Sequence, residues 1–213
     1  MKPISATSLK DKIVETLQQE IFVGNIKDGE ELAQEEISTK LGVSRMPVRE
    51  AFLQLESLGV LERLPNRHVR VIGITAQHVH QVFSMLAAIE IELATQLLKA
   101  QPHSQSVQHA FEGYRASVPQ QGAQKGIEKE NSFHLQISYA LKNQQLSQLH
   151  AKQRGGFFGF CLTHLSLDWK LMLSNNTDIY NAFMDENVVA LQIAIRRYYM
   201  DIAQLAVKEN HFE

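Results

Sequence analysis

Arg45 and Arg49 stand four residues apart in Leu41-Gly-Val-Ser-Arg-Met-Pro-Val-Arg-Glu50, so on a helix they share one face. An arginine fork can grip guanine O6 and N7 in a major groove, and the N–H groups of a helix N-terminus accept a phosphate. Gly42 permits a tight turn between two helices, and Val43 plugs the space between them. Ser44 caps the helix that follows, and its hydroxyl can also meet a phosphate. Val48, Phe52 and Leu55 occupy the opposite face and hold that helix to its domain. Arg63, Arg67 and Arg70 add a second basic cluster on a hairpin whose tip, Asn66-Arg67-His68, can reach a neighbouring minor groove. The chemistry these residues suit is the reading of double-stranded DNA.

Other reactive side chains do not assemble into a catalytic pattern. His78 and His80 are two apart near a helix start, while His103, His109 and His211 fall at loops, helix surfaces or the tail, and none forms a His-Glu-x-x-His set. Cys161, the single cysteine, lies between Phe160 and Leu162 and reads as a core residue. It excludes an internal disulfide and points to a reducing cytoplasm. There is no Gly-x-Ser-x-Gly, no P-loop and no dinucleotide fingerprint. Gly155-Gly156 falls inside a helical stretch and marks a close crossing or a kink. The rival reading is a helical small-molecule-binding protein or enzyme whose N-terminal domain serves protein contact. Salt-dependent binding to DNA discriminates the two.

The elements that position the arginines follow from spacing. Thr7 or Ser8 caps a first helix to about Val23 with Ile13, Leu17 and Ile21 in one stripe. Ala33–Leu41 is a short second helix ended by Gly42. Ser44 opens a third, Arg45 to about Leu58, with Pro47 in its first turn, where its missing N–H is harmless. Strands over Val60–Leu64 and Val69–Ile72 complete a winged helix-turn-helix. Beyond Gly73 and Thr75 the pattern is helical throughout, over about 75–100, 104–118, 124–141, 145–173, 176–185 and 187–208. The expected fold is mainly α: a winged helix-turn-helix over 1–74, then an all-α six-helix bundle over 75–213. The formal net charge is −2, and residues 1–73 hold 10 Lys and Arg against 11 Asp and Glu. A DNA site must therefore be local: residues 44–70 carry five arginines against three glutamates. The N-terminus lacks the apolar stretch of a secretory signal, and no unbroken apolar run approaches 18 residues, so no membrane partner is expected.

Thr7–Thr75, and LGVSRMPVREAFLQLESLGVLE in particular, resembles the DNA-binding domain of the GntR family of bacterial regulators. The resemblance implies that Ser44, Arg45, Met46, Pro47 and Arg49 meet the operator, with Arg67 and His68 on the wing. Two positions depart from the family: Glu35 replaces an arginine of the second helix, removing one DNA contact, and His68 replaces a wing glycine.

The helical remainder resembles the FCD effector domain of the FadR branch, in its VanR-like six-helix form. Such domains hold a small organic ligand, and many hold a metal through one Asp and three His. Glu130-Asn-Ser-Phe-His134 resembles the first part of that site, with acid and imidazole at i and i+4 on one face. The second and third histidines are replaced by Asn176 and Tyr198, and an arginine one turn before Glu90 by Leu86. One carboxylate and one imidazole do not make a tight site, so a divalent metal cofactor on Glu130 and His134 is not expected. The cavity is instead expected to take an effector, less acidic than the branch's usual organic acids, through Glu130, His134, Arg154, Asn176 and Tyr198. A homodimer would space two reading heads over a two-fold operator, and the ligand would alter operator affinity, with repression as the family's usual mode.

Overall fold

The computed structural model describes residues 9–22, 24–66, 68–72, 75–117 and 122–210. Thr7, Ser8, Val23, Arg67, Gly73 and His211 lie outside them. The chain divides into two compact units, one ending at Thr75 and the other beginning at Ala76.

The first unit contains α1 (Leu9–Phe22), β1 (Glu31–Leu32), α2 (Gln34–Leu41), α3 (Arg45–Ser57), β2 (Leu61–Arg63) and β3 (Val69–Val71). The stripe on α1 buries Ile13, Val14, Leu17 and Ile21 against the core-facing side of α3, where Val48, Ala51, Phe52 and Leu55 are wholly enclosed. Truncating a buried residue such as Phe52 to alanine costs about 3–5 kcal/mol, so this packing fixes the angle at which α3 leaves the domain. Gly42 takes the left-handed conformation that closes α2 (φ 64°), and its N–H donates to the Ser38 and Thr39 carbonyls. The short turn then delivers Ser44 in extended backbone at the N-cap of α3.

The hairpin is wider than expected. β1, absent from the sequence reading, pairs antiparallel with β3 and gives the order β1-β3-β2. Two residues are too few for a periodic signal. Leu32 is buried and Glu31 exposed, which is all the alternation so short a strand can show.

The second unit is entirely helical among the described residues: α4 (Ala76–Ala100), α5 (Gln105–Ser117), α6 (Gly122–Ala140), α7 (Gln144–Gln153), a π-turn (Arg154–Phe158), α8 (Gly159–His164), α9 (Trp169–Met184) and α10 (Val188–Asn210). α7, the π-turn and α8 form one run, giving six helical runs. α4 packs along α10 and against α6, α5 against α6, and α9 against α10. α4 is also long and apolar enough in composition to cross a bilayer. Here that apolarity is used internally, since Val79, Phe83, Leu86, Leu93 and Leu97 are buried in the bundle.

One boundary is corrected. The single helix expected over 145–173 breaks at Leu165, which is extended (φ −82°, ψ 150°). Asp168 then starts α9 by accepting from the Lys170 and Leu171 N–H groups at 2.9 and 3.3 Å, so α9 begins at Trp169 and not near 176. The kink at Gly155-Gly156 is present: Gly156 leaves helical geometry (ψ −133°) within the π-turn.

Candidate functional site

In the first unit, Ser44, Arg45, Met46 and Arg49 are exposed on α3, Pro47 is half-buried in its first turn, and Val48 faces the core. The Ser44 side chain makes no capping hydrogen bond; its position, not its hydroxyl, defines the N-cap. Arg45 is held by Glu35 of α2, Nη2 to Oε1 at 2.5 Å, with both side chains mostly in solvent. The hairpin arginines are paired as well. Arg63 grips Glu56 through two nitrogens at 2.6 and 3.2 Å, and Arg70 meets Glu62 at 2.5 Å. His68 lies 3.5 Å from Glu31, and its N–H donates to the Asn66 side chain. Among the described residues, Arg49 is therefore the one arginine of residues 44–70 without a carboxylate partner.

In the second unit, the five residues expected to line a pocket do come together, but buried and bonded to one another. Glu130, His134 and Asn176 have no exposure, and Arg154 has 1%. Arg154 Nη2 contacts both oxygens of Glu130 at 3.0 Å, and Tyr198 donates its hydroxyl to Glu130. His134 Nε2 faces Asn176 Oδ1 at 2.8 Å and Glu130 Oε1 at 3.0 Å.

Three further members escaped the sequence reading as site residues. Glu90 of α4 meets His134 Nδ1 at 2.5 Å, accepts from Tyr199 at 2.6 Å, and faces His150 Nε2 at 3.3 Å. Tyr199 in turn accepts from Arg154 Nη1 at 2.6 Å. Each carried a signal. Glu90 is a carboxylate in the middle of the apolar stripe of α4, a place a charge occupies only when paired. His150 precedes Arg154 by four residues, and Tyr199 adjoins Tyr198.

The electrostatics follow from this packing. Burial alone would neutralise the carboxylates, but His134, His150 and Arg154 hold Glu90 well below its usual range, and Arg154 and His134 bring Glu130 down to about 2. Burial and Arg154 push the His134 pKa down, yet Glu90 and Glu130 together outweigh them and raise it. Tyr198 and Tyr199 are pushed well up, chiefly by burial, and remain neutral donors.

The metal that the FCD resemblance brings to mind does not fit this donor set. Both ring nitrogens of His134 already face carboxylate or amide oxygens, and Asn176 and Tyr198 replace imidazoles. No group of three or more His, Cys, Asp or Glu among the described residues is placed to hold an ion.

Residues 9–71 match the family described as bacterial regulatory proteins, gntR family. Those residues form a gntR-type DNA-binding domain. The chain is 25% identical over 204 residues to the HTH-type transcriptional repressor RspR of Escherichia coli K12, covering 92% of this chain and 88% of that one. The fold is shared with the Listeria monocytogenes regulator Lar (TM-score 0.69, 13% identity, 96% and 99% of the two chains) and with E. coli McbR/YncC (TM-score 0.61, 16% identity, 96% and 99%). The gntR-type domain, together with the likeness to a transcriptional repressor over most of the chain, supports a DNA-binding transcription regulator, and the enzyme alternative is set aside. Against the family pattern, Glu35 does more than omit a contact, because it also engages Arg45 of the reading helix.

Proposed function

We propose that the protein is a cytoplasmic, homodimeric repressor whose operator affinity is set by a small molecule acting on the helical unit. In this reading residues 1–74 are the reader, with Ser44, Arg45, Met46, Pro47 and Arg49 in the major groove and Arg67 and His68 on the wing. Residues 75–213 are an FCD-type effector and dimerisation domain of the FadR branch.

The observation that carries the DNA reading is Arg49. It is exposed on the reading helix of a gntR-type domain, and no carboxylate neutralises it. Gel-shift titration against DNA upstream of its own gene, at several salt concentrations, tests this. Affinity should fall steeply with salt, by about 0.9 log units per log unit of salt for each phosphate contact. Binding that ignores salt would remove the reading.

The effector reading is supported by the Glu130, His134, Arg154, Asn176 and Tyr198 cluster. A ligand that breaks and replaces some of those bonds would favour one packing of the bundle over another. Thermal shift against a panel of small organic acids, amines and polyols checks it, with any hit then tested for a change in operator affinity. Homodimerisation is supported by apolar residues left in solvent on α10, Val189 and Ile193 at 66% and 62% exposure and one turn apart, with Ile193 beside Ile91 and Met200. Ile193→Asp should shift sedimentation from dimer to monomer, and a wild-type monomer would refute the dimer.

A further inference from the structure

We infer that Arg154 is the resident cation of the helical unit, a tethered guanidinium holding together two buried carboxylates in the place where a bound divalent ion would otherwise be needed. The inference rests on the geometry of the bundle; it shares Glu130, His134, Arg154 and Tyr198 with the effector reading but requires no ligand.

Two carboxylates from different helices, Glu90 of α4 and Glu130 of α6, are both wholly buried. Each is bridged to the other twice. His134 spans them through its two ring nitrogens, Nδ1 to Glu90 at 2.5 Å and Nε2 to Glu130 at 3.0 Å. Arg154 spans them through its two terminal nitrogens, Nη1 to Glu90 at 3.5 Å and Nη2 to Glu130 at 3.0 Å. The result is a ring of alternating charge, Glu90, His134, Glu130, Arg154. With His134 protonated, as its position between two carboxylates favours, the ring is neutral. Tyr198 and Tyr199 donate to the outer lone pairs of Glu130 and Glu90, and Arg154 Nε donates to Asn131 at 3.0 Å. The guanidinium also lies over the Phe158 ring, 4.8 Å from its centroid.

A metal ion needs carboxylate lone pairs that face no cation, and here every oxygen of both groups faces a donor. An added divalent ion would also meet the guanidinium directly. A guanidinium performs the same electrostatic task with fixed, planar geometry and no exchange with solvent. The backbone supports its placement. Arg154 opens the π-turn, where the wider helical repeat reorients the side chains that follow α7. A Cβ at Gly159 would lie 2.7 Å from the Arg154 carbonyl oxygen, so glycine there lets the turn close.

The experiment uses the full-length protein. After dialysis, metal analysis should find less than stoichiometric Zn, Ni or Mn. Melting temperature should move by no more than about 1 °C with a tenfold excess of any of these ions or with EDTA. Arg154→Met leaves two buried carboxylates with one cation and should lower Tm by about 10 °C. Glu130→Gln alone should also lower it, whereas Arg154→Met with Glu130→Gln restores charge balance and should lose clearly less than the two single losses combined. Metal retained at one per chain with a Tm rise of several degrees in the wild type would overturn the inference, as would strictly additive losses in the double variant. If Arg154→Met does not fold, the wild-type metal titration and the retention of Tm by Arg154→Lys relative to Glu130→Gln decide the question.

Discussion

The two units of this regulator treat the same ion pairs in opposite ways. In the reading unit, Arg45–Glu35 and Arg70–Glu62 are solvent-exposed and Arg63–Glu56 is partly so, and exposed pairs contribute about 0–1 kcal/mol and fall further with salt. In the helical unit, Arg154, Glu130, Glu90 and His134 are at or below 1% exposure, where losing one partner costs about 3–5 kcal/mol because a charge is left stranded in the core. Exposed pairs can be exchanged for a phosphate at little loss. Buried pairs cannot be exchanged without repacking helices. The reader is thus built for reversible contact, and the bundle for holding one arrangement until something changes its polar centre.

Breaking the buried side gives the largest effect. Glu90→Ala should destabilise the helical unit by about 3–5 kcal/mol in denaturant unfolding, while Glu62→Ala in the reader should cost about 0–1 kcal/mol. Equal losses would erase the contrast between the units.

Acidity and alkalinity should act on the bundle from both sides. Glu130 has a folded pKa of about 2 against an ordinary 4.5, so its contribution is present above about pH 4.5 and disappears as pH falls towards 2. His134 is shifted the other way. Its contribution is complete below the ordinary 6.5 and is lost as pH rises through its higher folded value. Stability of the helical unit should therefore be greatest between about pH 5 and 6.5 and decline on either side. Glu130→Gln should flatten the acid limb; an unchanged limb would show that other groups govern it.

Arg49→Ala should weaken operator binding by about 1–3 kcal/mol if the guanidinium reads a base, with melting temperature little changed because the side chain is exposed and makes no hydrogen bond or ion pair among the described residues. Unchanged affinity would place the reading elsewhere on α3.

The sequence exposed these regions unequally. The reader was legible almost throughout, because a glycine turn and 3.6-residue spacing are local signals; Gly42 and the Val48–Phe52–Leu55 face occur as local rules require, and Ser44 stands at the N-cap position without the side-chain bond. Only β1 was missed, since pairing of Leu32 with Val69 joins residues far apart in the chain. The bundle's helices were legible from periodicity, apart from the break before Asp168, where no glycine or proline marks the end of α8. The polar centre was half legible. Five of its residues could be named; Glu90, His150 and Tyr199 each carried a local signal, but which partner each would meet is set by helix packing, which no spacing along the chain encodes. The pairing state was not legible either: five arginines in residues 44–70 read as one basic patch, yet three of the four described are held by glutamates.

The smallest effect is the most informative about the reader. Glu35 holds Arg45 on the face that α3 would present to DNA, so its carboxylate both occupies that guanidinium and repels phosphates near it. Glu35→Gln keeps the shape of the side chain and removes both effects. Non-specific binding to random-sequence duplex should tighten by roughly two- to five-fold at low salt, as expected from the loss of one exposed pair. The salt slope should steepen by about 0.9 if the released Arg45 takes a phosphate. Specificity should fall in step, because a contact to the backbone gains equally on every sequence. Were Glu35→Gln instead to weaken operator binding while leaving random duplex unchanged, Glu35 would be orienting Arg45 towards a base. The exposed pair would then be part of the reading surface, and the contrast between reader and bundle would narrow to one of solvent exposure alone.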